Sequence, residues 1–384
     1  MSTRTAKRLD SVKEYYFSKK LREVAALIKA GKPILNMGIG SPDLPPDPSV
    51  IAAIKDSLLE PKAHMYQSYQ GLPELREAIA SFYQKQYNVT LDANSEVLPL
   101  MGSKEGIMHI SMAFLNKGDQ VLIPNPGYPT YSSVTQLLEA EAVFYDLKEE
   151  NNWQPDFEAL SKVDTTNVKL MWLNYPHMPT GAQVDVETFI RLIEWAKKND
   201  VLLINDNPYS FILNKNPQSL MSQTGAMDVA IELNSLSKAY NLSGWRIGML
   251  TGNSKYINAV LKVKSNMDSG MFFGIQKGAI AALKLENIWF EELNKIYAER
   301  RKAMIELATL MGSEFDPKSV GMFLWAKLKN QSIKSEEFID SVLLEYNIFI
   351  TPGTIFGSQG EGYIRFSLCV KLEDIQTAIN RVKS

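Results

Sequence analysis

The stretch "VAIELNSLSKAYNLSGWRIGMLTG", residues 229–252, sets two short apolar runs, "VAIEL" and "IGMLTG", around a polar segment that carries Lys238 just after Ser235 and Ser237. Apolar runs of this length, bounded by polar and glycine-bearing residues, read as buried strands. A lysine at the end of a buried strand calls for an explanation that a surface lysine does not, and its neighbours have to supply it.

Upstream, the same pattern recurs in "EVLPLM" at 96–101, "QVLIP" at 120–124, "VKLMWL" at 168–173 and "VLLIN" at 201–205. Helical spacing predicts helices over 103–116, 130–139, 186–199 and 254–266, the third following a turn at Thr180-Gly181. Strands alternating with helices predict an α/β fold, a large domain with a mostly parallel sheet flanked by helices. Beyond about residue 285 the pattern changes to a long charged helix at 288–311, a strand at 321–328, a helix at 334–345 and a strand at 363–368. That change predicts a smaller α+β domain drawn from both chain ends, with 48–280 as the large domain and 1–47 plus 281–384 as the small one. The segment 8–32 reads as an amphipathic helix, and "LNMGIGSPDLPPDPS" at 35–49 packs with the small domain or bridges the two.

Five runs are each followed at once by polar, glycine- or proline-bearing residues: "GSKEG" from 102, "NPGYPTY" from 125, "NYPHMPTG" from 174, "DNPY" from 206 and "NSLSKAY" from 234. Ligands of open α/β sheets bind in the crevice outside the carboxyl ends of the strands. If the five strands are parallel, all five segments face one crevice, and Lys238 is in it.

Bulk properties narrow the ligand. With 41 basic against 43 acidic residues the net charge is −2, so no basic field invites nucleic acid or anionic lipid. A single cysteine, Cys369, excludes an internal disulfide, and three histidines at 64, 109 and 177 lack metal-ligand spacing. No window approaches the roughly 18 apolar residues of a membrane span, and the N-terminus lacks the apolar core of a signal peptide, which makes the cytoplasm the expected compartment.

The crevice residues suit a phosphate. Gly102 and Ser103 open a helix whose free N–H groups favour an anion, Arg246 adds a charged fork, and Ser235 and Ser237 add hydroxyls. A phosphate-bearing cofactor that needs a lysine is pyridoxal 5′-phosphate, whose aldehyde forms a Schiff base with an ε-amine. Its ring nitrogen wants a buried carboxylate, for which Asp206 is the candidate. Tyr209 is placed to donate to the phenolic oxygen, and Tyr128 to stack on the ring. Singly, Asp206 reads equally as a turn residue and the tyrosines as half-buried core.

Together these segments resemble the class I/II aminotransferases, fold-type I pyridoxal-phosphate enzymes, over nearly the whole chain. "SLSKAYNLSGWRIG" is similar to the family's lysine signature, "YQSYQGLPELREAIASFY" to its segment before the sheet, "GSKEG" to its phosphate loop, "PNPGYPTY" to its ring-stacking loop, "DNPYS" to its Asp-x-x-Tyr motif and "TPGTIFGSQGEGYIRFSL" to its substrate-arginine region. The resemblance implies that Lys238 anchors the cofactor and shuttles the substrate proton, that Asp206 pairs with the ring nitrogen and that Tyr209 holds the phenolic oxygen. It gives the phosphate to Ser235, Ser237, Arg246 and the amides of Ser103 and Lys104, with Tyr66 reaching it from a second subunit of a homodimer. Arg365, assisted by the backbone near Gly40, grips the α-carboxylate. A planar fork on a carboxylate orients the α-carbon hydrogen toward the ring face; alternation with Ile364 and Phe366 would also let Arg365 face solvent.

One departure stands out. The family carries Asn-Pro-Thr-Gly where this chain has Met178-Pro179-Thr180-Gly181. Methionine cannot donate to the phenolic oxygen, so Tyr209 holds it alone, or Asn174 or His177 reaches in. The expected reaction moves an amino group between an L-amino acid and a 2-oxo acid. "GSKEGIMH" and "KSNMDSGMFFGIQ" look closest to the aspartate, alanine, methionine and diaminopimelate group. Met37, Ile39, Met271 and Phe272 line the side-chain pocket or belong to the core. A carbon–sulfur β-lyase is the alternative within the fold, and a non-catalytic regulatory or binding protein the alternative outside enzymes. A nicotinamide dehydrogenase is set aside, because "GIGSPD" at 38–43 lacks a third glycine and opens no helix.

Overall fold

A computed structural model describes residues 5–10 and 16–384. Of the amphipathic helix expected at 8–32, Tyr16–Lys29 is helical and 11–15 lies outside the described residues.

The strands in chain order are β1 Leu35–Asn36, β2 Val97–Leu100, β3 Gln120–Asn125, β4 Glu141–Asp146, β5 Val168–Leu173, β6 Leu202–Asp206, β7 Ala230–Ser235, β8 Gly248–Gly252, β9 Ser313–Phe315, β10 Phe323–Leu328, β11 Ile348–Phe349, β12 Thr351–Pro352 and β13 Tyr363–Ser367. Seven form the large sheet in the order β2-β8-β7-β6-β5-β3-β4. Strands β3 to β7 run parallel, whereas β8 is antiparallel to both β7 and β2. Two reversals restore the direction, so β2 points the same way as β7, and the five segments named above emerge at one edge. The sequence reading missed β4, an edge strand whose burial alternates too weakly to mark it.

Alternation within the strands explains the layering. Leu170, Trp172, Ile204, Ile231 and Leu233 face one side, where they pack with Ile107, Ile110, Tyr131, Val134, Ile257 and Val260 of three helices. Met171, Leu173, Leu203, Ala230 and Met249 face the other, against Leu75, Ile79, Phe189, Leu192 and Ala279. Both faces are covered, which is why the runs are nearly all apolar. Among the buried polar exceptions is Glu232 on β7, which accepts from Tyr83 Oη, Asn205 Nδ2, Ser219 Oγ and Leu220 N.

The smaller sheet, β12-β13-β10-β9, is antiparallel throughout. The N-terminal segment joins this side: β1 pairs in parallel with β11, and Phe17 and Val24 pack with Leu343 and Phe349. Its continuation reaches the crevice, where the Gly40 carbonyl accepts from Lys238 Nζ and the Pro45 carbonyl accepts from Asn241 Nδ2.

Candidate active site

The side chains in the crevice come from segments at or next to strands. At the end of β2, Gly102 takes φ +89 before the helix Ser103–Phe114. Glycine is favoured there by its backbone, and a Cβ would displace the Arg246 guanidinium laid against it. Arg246, just ahead of β8, donates from Nη1 to Ser237 Oγ at 3.3 Å and to the Ser243 carbonyl at 3.0 Å. Ser235 ends β7 and caps the following turn, accepting from Ser237 N at 3.1 Å and donating to the Ile247 carbonyl at 3.2 Å.

Lys238 sits on the short helix Leu236–Ala239. Its Nζ donates to the carbonyl of Gly40 at 2.7 Å, and burial pulls its amine below the ordinary range for lysine. Asp206, at the end of β6, is 5 % exposed; burial pushes its carboxyl up to about 7, against a hydrogen bond from Tyr131 and the charge of Lys238. Tyr131 Oη donates to Oδ2 at 2.9 Å, while Oδ1 is buried without a partner. Tyr209 is buried, which raises its phenol far enough to remain protonated and able to donate. Arg365 on β13 is also buried; its Nη2 donates to the Gly38 carbonyl at 2.8 Å, and its guanidinium lies 4.0 Å from the Phe323 ring centre and 4.7 Å from that of Phe356. It therefore faces the crevice rather than solvent.

A cavity of about 450 Å³ gathers these groups. Gly40, Ser103, Lys104, Tyr128, Asn174, Asp206, Tyr209, Ser235, Ser237, Lys238, Arg246 and Arg365 all line it, and Gly102 lies beneath Arg246. Tyr66 does not: it is 89 % exposed, away from the crevice of its own chain. Met37, Ile39, Met271 and Phe272 also stay outside, the two methionines as core and the other two on the surface. The side-chain end is lined instead by Met178, already marked in the sequence by its place in the family motif, and by Phe17, Phe323, Ile355 and Phe356, which sequence reasoning did not single out. Phe323 and Phe356 border Arg365 only because of strand register and a later turn, distances no local motif encodes. Tyr131, also missed, lies within the quoted "NPGYPTY", and its spacing from Tyr128 was a usable signal.

The donor opposite Met178 narrows as well. His177 is buried, its imidazole held neutral by a pKa pulled down to about 3 by burial, with Nε2 donating to the Pro126 carbonyl and Nδ1 accepting from Thr180 Oγ1. It does not line the cavity. Asn174 does, with Nδ2 donating to the Asp206 carbonyl at 2.5 Å and Oδ1 accepting from Met178 N at 3.0 Å. Only its second amide hydrogen is left to turn inward.

Outside the cavity, Glu105, His109 and Asp268 bring ligand atoms within 4.8 Å of one another, and Lys264 Nζ, 2.9 Å from Asp268 Oδ2, already supplies a cation there.

Whether the residues fit pyridoxal 5′-phosphate can be judged from two features. The orphaned Oδ1 of Asp206 lacks a donor that a protonated ring nitrogen would provide. The helix start at Ser103, Arg246 and the Ser237 hydroxyl leave an anion-binding end within the same cavity. The residues fit the group at both ends.

A model of the family "Aminotransferase class I and II" matches residues 32–382. LL-diaminopimelate aminotransferase of Aquifex aeolicus is 39% identical over 379 residues, 98% of each chain, and that of Dehalococcoides mccartyi 38% identical over 98% of this chain and 97% of its own. Among solved structures, substrate-bound BacF of Bacillus subtilis superposes with a TM-score of 0.94 at 34% identity, covering 100% of this chain and 98% of that one. An aminotransferase from Staphylococcus aureus gives 0.88 at 31% identity, with 98% of each chain covered.

Proposed function

The chain belongs to the class I and II aminotransferases, and we propose that it moves an amino group between an L-amino acid and a 2-oxo acid with pyridoxal 5′-phosphate held by Lys238. The observation that carries this reading is the single cavity in which Lys238, Asp206, Arg246 and Arg365 converge. When bound, pyridoxal 5′-phosphate supplies an aldehyde that condenses with amines and a ring that draws electrons from the attached α-carbon.

The chain's own residues then have distinct tasks. Asp206, with Oδ1 unpartnered, holds the ring nitrogen protonated; a cation beside it draws its own carboxyl back to the ionised form. Tyr128 would stack on the ring, and Tyr209, with the remaining amide hydrogen of Asn174, would donate to the phenolic oxygen. Ser103 and Lys104 through their amides, Ser237 through its hydroxyl and Arg246 through its fork hold the phosphate. Ser235 contributes by capping the turn that carries Lys238, and reaches the phosphate only if its hydroxyl leaves the Ile247 carbonyl. Arg365 receives the α-carboxylate beside Gly38 and Gly40 and thereby turns the α-hydrogen toward Lys238. Lys238, its basicity held down by burial, takes that proton and returns it on the far side of the transfer.

A homodimer completes the site on this reading. Met65, Tyr66, Met267 and Phe272 are exposed by 45 to 89 %. Residues 65–70 and 264–272 are tied together, with Lys264 Nζ donating to the Tyr69 carbonyl, so the exposed apolar groups form one surface suited to a second copy, from which Tyr66 reaches a phosphate. No helix among the described residues is long and apolar enough to cross a membrane, and the sole cysteine is buried and free, which supports a cytoplasmic location. The names borne by the relatives make diaminopimelate a donor to assay from the outset.

The test is to reduce the holoenzyme with borohydride, digest it and weigh the peptides, and in parallel to follow amino transfer to 2-oxoglutarate or pyruvate. The cofactor mass should sit on Lys238 and amino acid should form from the 2-oxo acid. Cofactor on Lys238 with pyruvate and ammonia released from a thioether substrate would instead identify a lyase.

A further inference from the structure

We propose that Lys264 is a positioning residue for the cofactor of the other subunit, because it holds in place the loop that carries Tyr66 across the dimer interface. The inference rests on the homodimer reading above. Lys264 ends the helix Ser254–Lys264 and is fully buried, a rare place for a lysine. Its Nζ donates to the carbonyl of Tyr69 at 2.9 Å and to Asp268 Oδ1 at 3.0 Å, with Asp268 Oδ2 2.9 Å away. One amine thus joins the backbone three residues after Tyr66 to the turn that follows its own helix.

That turn lies against the Tyr66 loop. Asp268 Oδ1 also accepts from Gly270 N at 2.7 Å. Gly270 takes φ +87, and a Cβ there would run into the carbonyl of Gln67, so the two backbones touch beside the Lys264 tie. Gln67 Nε2 donates to the Met65 carbonyl at 2.8 Å, which links the two residues flanking Tyr66. Tyr66 itself is 89 % exposed, so the backbone around it sets its aim.

Charge explains why the tie is a lysine. A carboxylate oxygen of Asp268 comes within 4.8 Å of one of Glu105 and of the His109 ring. Glu105 belongs to the phosphate-facing helix, where it accepts from Met101 N at 2.8 Å and lies 3.3 Å from His109 Nε2. Two carboxylates this close repel in a poorly solvated setting, and the Lys264 amine offsets the repulsion while reaching Tyr69. An uncharged side chain of similar length loses both the offset and the tie, and the Tyr66 loop shifts. A lysine that only stabilised its own fold would act on the site of its own chain, through Glu105 and the helix start. One that positions the Tyr66 loop acts on the site opposite.

The test reads cofactor affinity in hybrid dimers made by co-expressing two differently tagged chains. One chain of each hybrid carries Lys238→Ala, so cofactor fixed by borohydride reports only on the chain that keeps Lys238. The fraction fixed is followed against the concentration of pyridoxal 5′-phosphate. Lys264→Met on the Lys238→Ala chain removes the tie from the loop facing the reporting site, and affinity should fall about tenfold or more, as for one lost hydrogen bond to a charged group. Lys264→Met on the reporting chain itself should change affinity by less than about threefold. Lys264→Met/Asp268→Leu removes the buried carboxylate with its partner; it should repeat both results and carries the test if the single variant does not fold. Equal loss in the two arrangements, or loss only on the reporting chain, overturns the proposal. Tyr66→Phe on the Lys238→Ala chain judges the dimer reading separately. If it leaves affinity unchanged, the premise that Tyr66 reaches the phosphate falls and the proposal with it; loss with Tyr66→Phe but none with Lys264→Met refutes the role of Lys264 alone.

Discussion

Tyr131 Oη donates to Oδ2 of Asp206 at 2.9 Å, while Oδ1 of the same buried carboxylate has no partner. The hydrogen bond opposes the burial that pushes the carboxyl up to about 7. A folded-state pKa above the unfolded value of 3.8 means that the native chain holds this proton more tightly. The resulting stability is fully present below pH 4 and is lost as pH rises toward 7, by up to about 4 kcal/mol. Burial also raises the Glu232 carboxyl, so urea unfolding of the cofactor-free protein at several pH values should show a steeper fall in wild type than in Asp206→Asn. Parallel curves for the two proteins would refute the assignment.

Arg300 meets Asp43 with both nitrogens, Nη1 to Oδ1 at 2.7 Å and Nη2 to Oδ2 at 2.8 Å. Arg300 is buried and also donates to the Leu368 carbonyl, so the pair clamps the segment whose Gly38 and Gly40 carbonyls receive Arg365 and Lys238. Asp43→Ala should lower stability by about 1–3 kcal/mol and raise KM for the amino donor several-fold while kcat falls less. Asp43→Glu should recover part of both. A drop in melting temperature with unchanged KM would leave the clamp a purely structural role.

Arg365→Lys replaces a planar fork with a single ammonium. Losing one charge-assisted hydrogen bond costs about 1.5–3 kcal/mol, so kcat/KM should fall about 10- to 100-fold for every donor alike, because all share the α-carboxylate. Selective loss for one donor would place Arg365 on a side chain instead.

Met178→Asn returns an amide to the position where the family carries asparagine. One added donor of about 1 kcal/mol shifts a titration by under a unit. Stabilising the phenolate should move the absorbance titration of the bound cofactor to lower pH. Superimposable titrations would mean that Tyr209 and Asn174 already satisfy that oxygen.

Gly102→Ala forces a Cβ against the Arg246 guanidinium at a φ of +89. The guanidinium must move, so affinity for the cofactor should weaken at least tenfold in equilibrium dialysis while the circular dichroism spectrum persists. Unchanged affinity would exclude Arg246 from the phosphate.

Much of this protein was legible in its sequence because the information was local. Apolar runs ending in polar turns marked β2, β3, β5, β6 and β7, and the gathering of Lys238, Asp206, Tyr209 and Arg246 in one crevice was expected from residue types next to strands. The helix Val186–Asn199 begins and ends where its periodicity predicted, with Asp185 capping it through Thr188 N. What the tertiary structure alone decided was how distant segments meet. Strand β8 runs against its neighbours, a property of pairing partners and not of its own residues. Met37 and Met271 are core while Phe17, Met178, Phe323, Ile355 and Phe356 line the cavity, because burial depends on what packs across the fold. The Asp43–Arg300 clamp joins residues 257 positions apart, a separation over which composition and periodicity carry no signal.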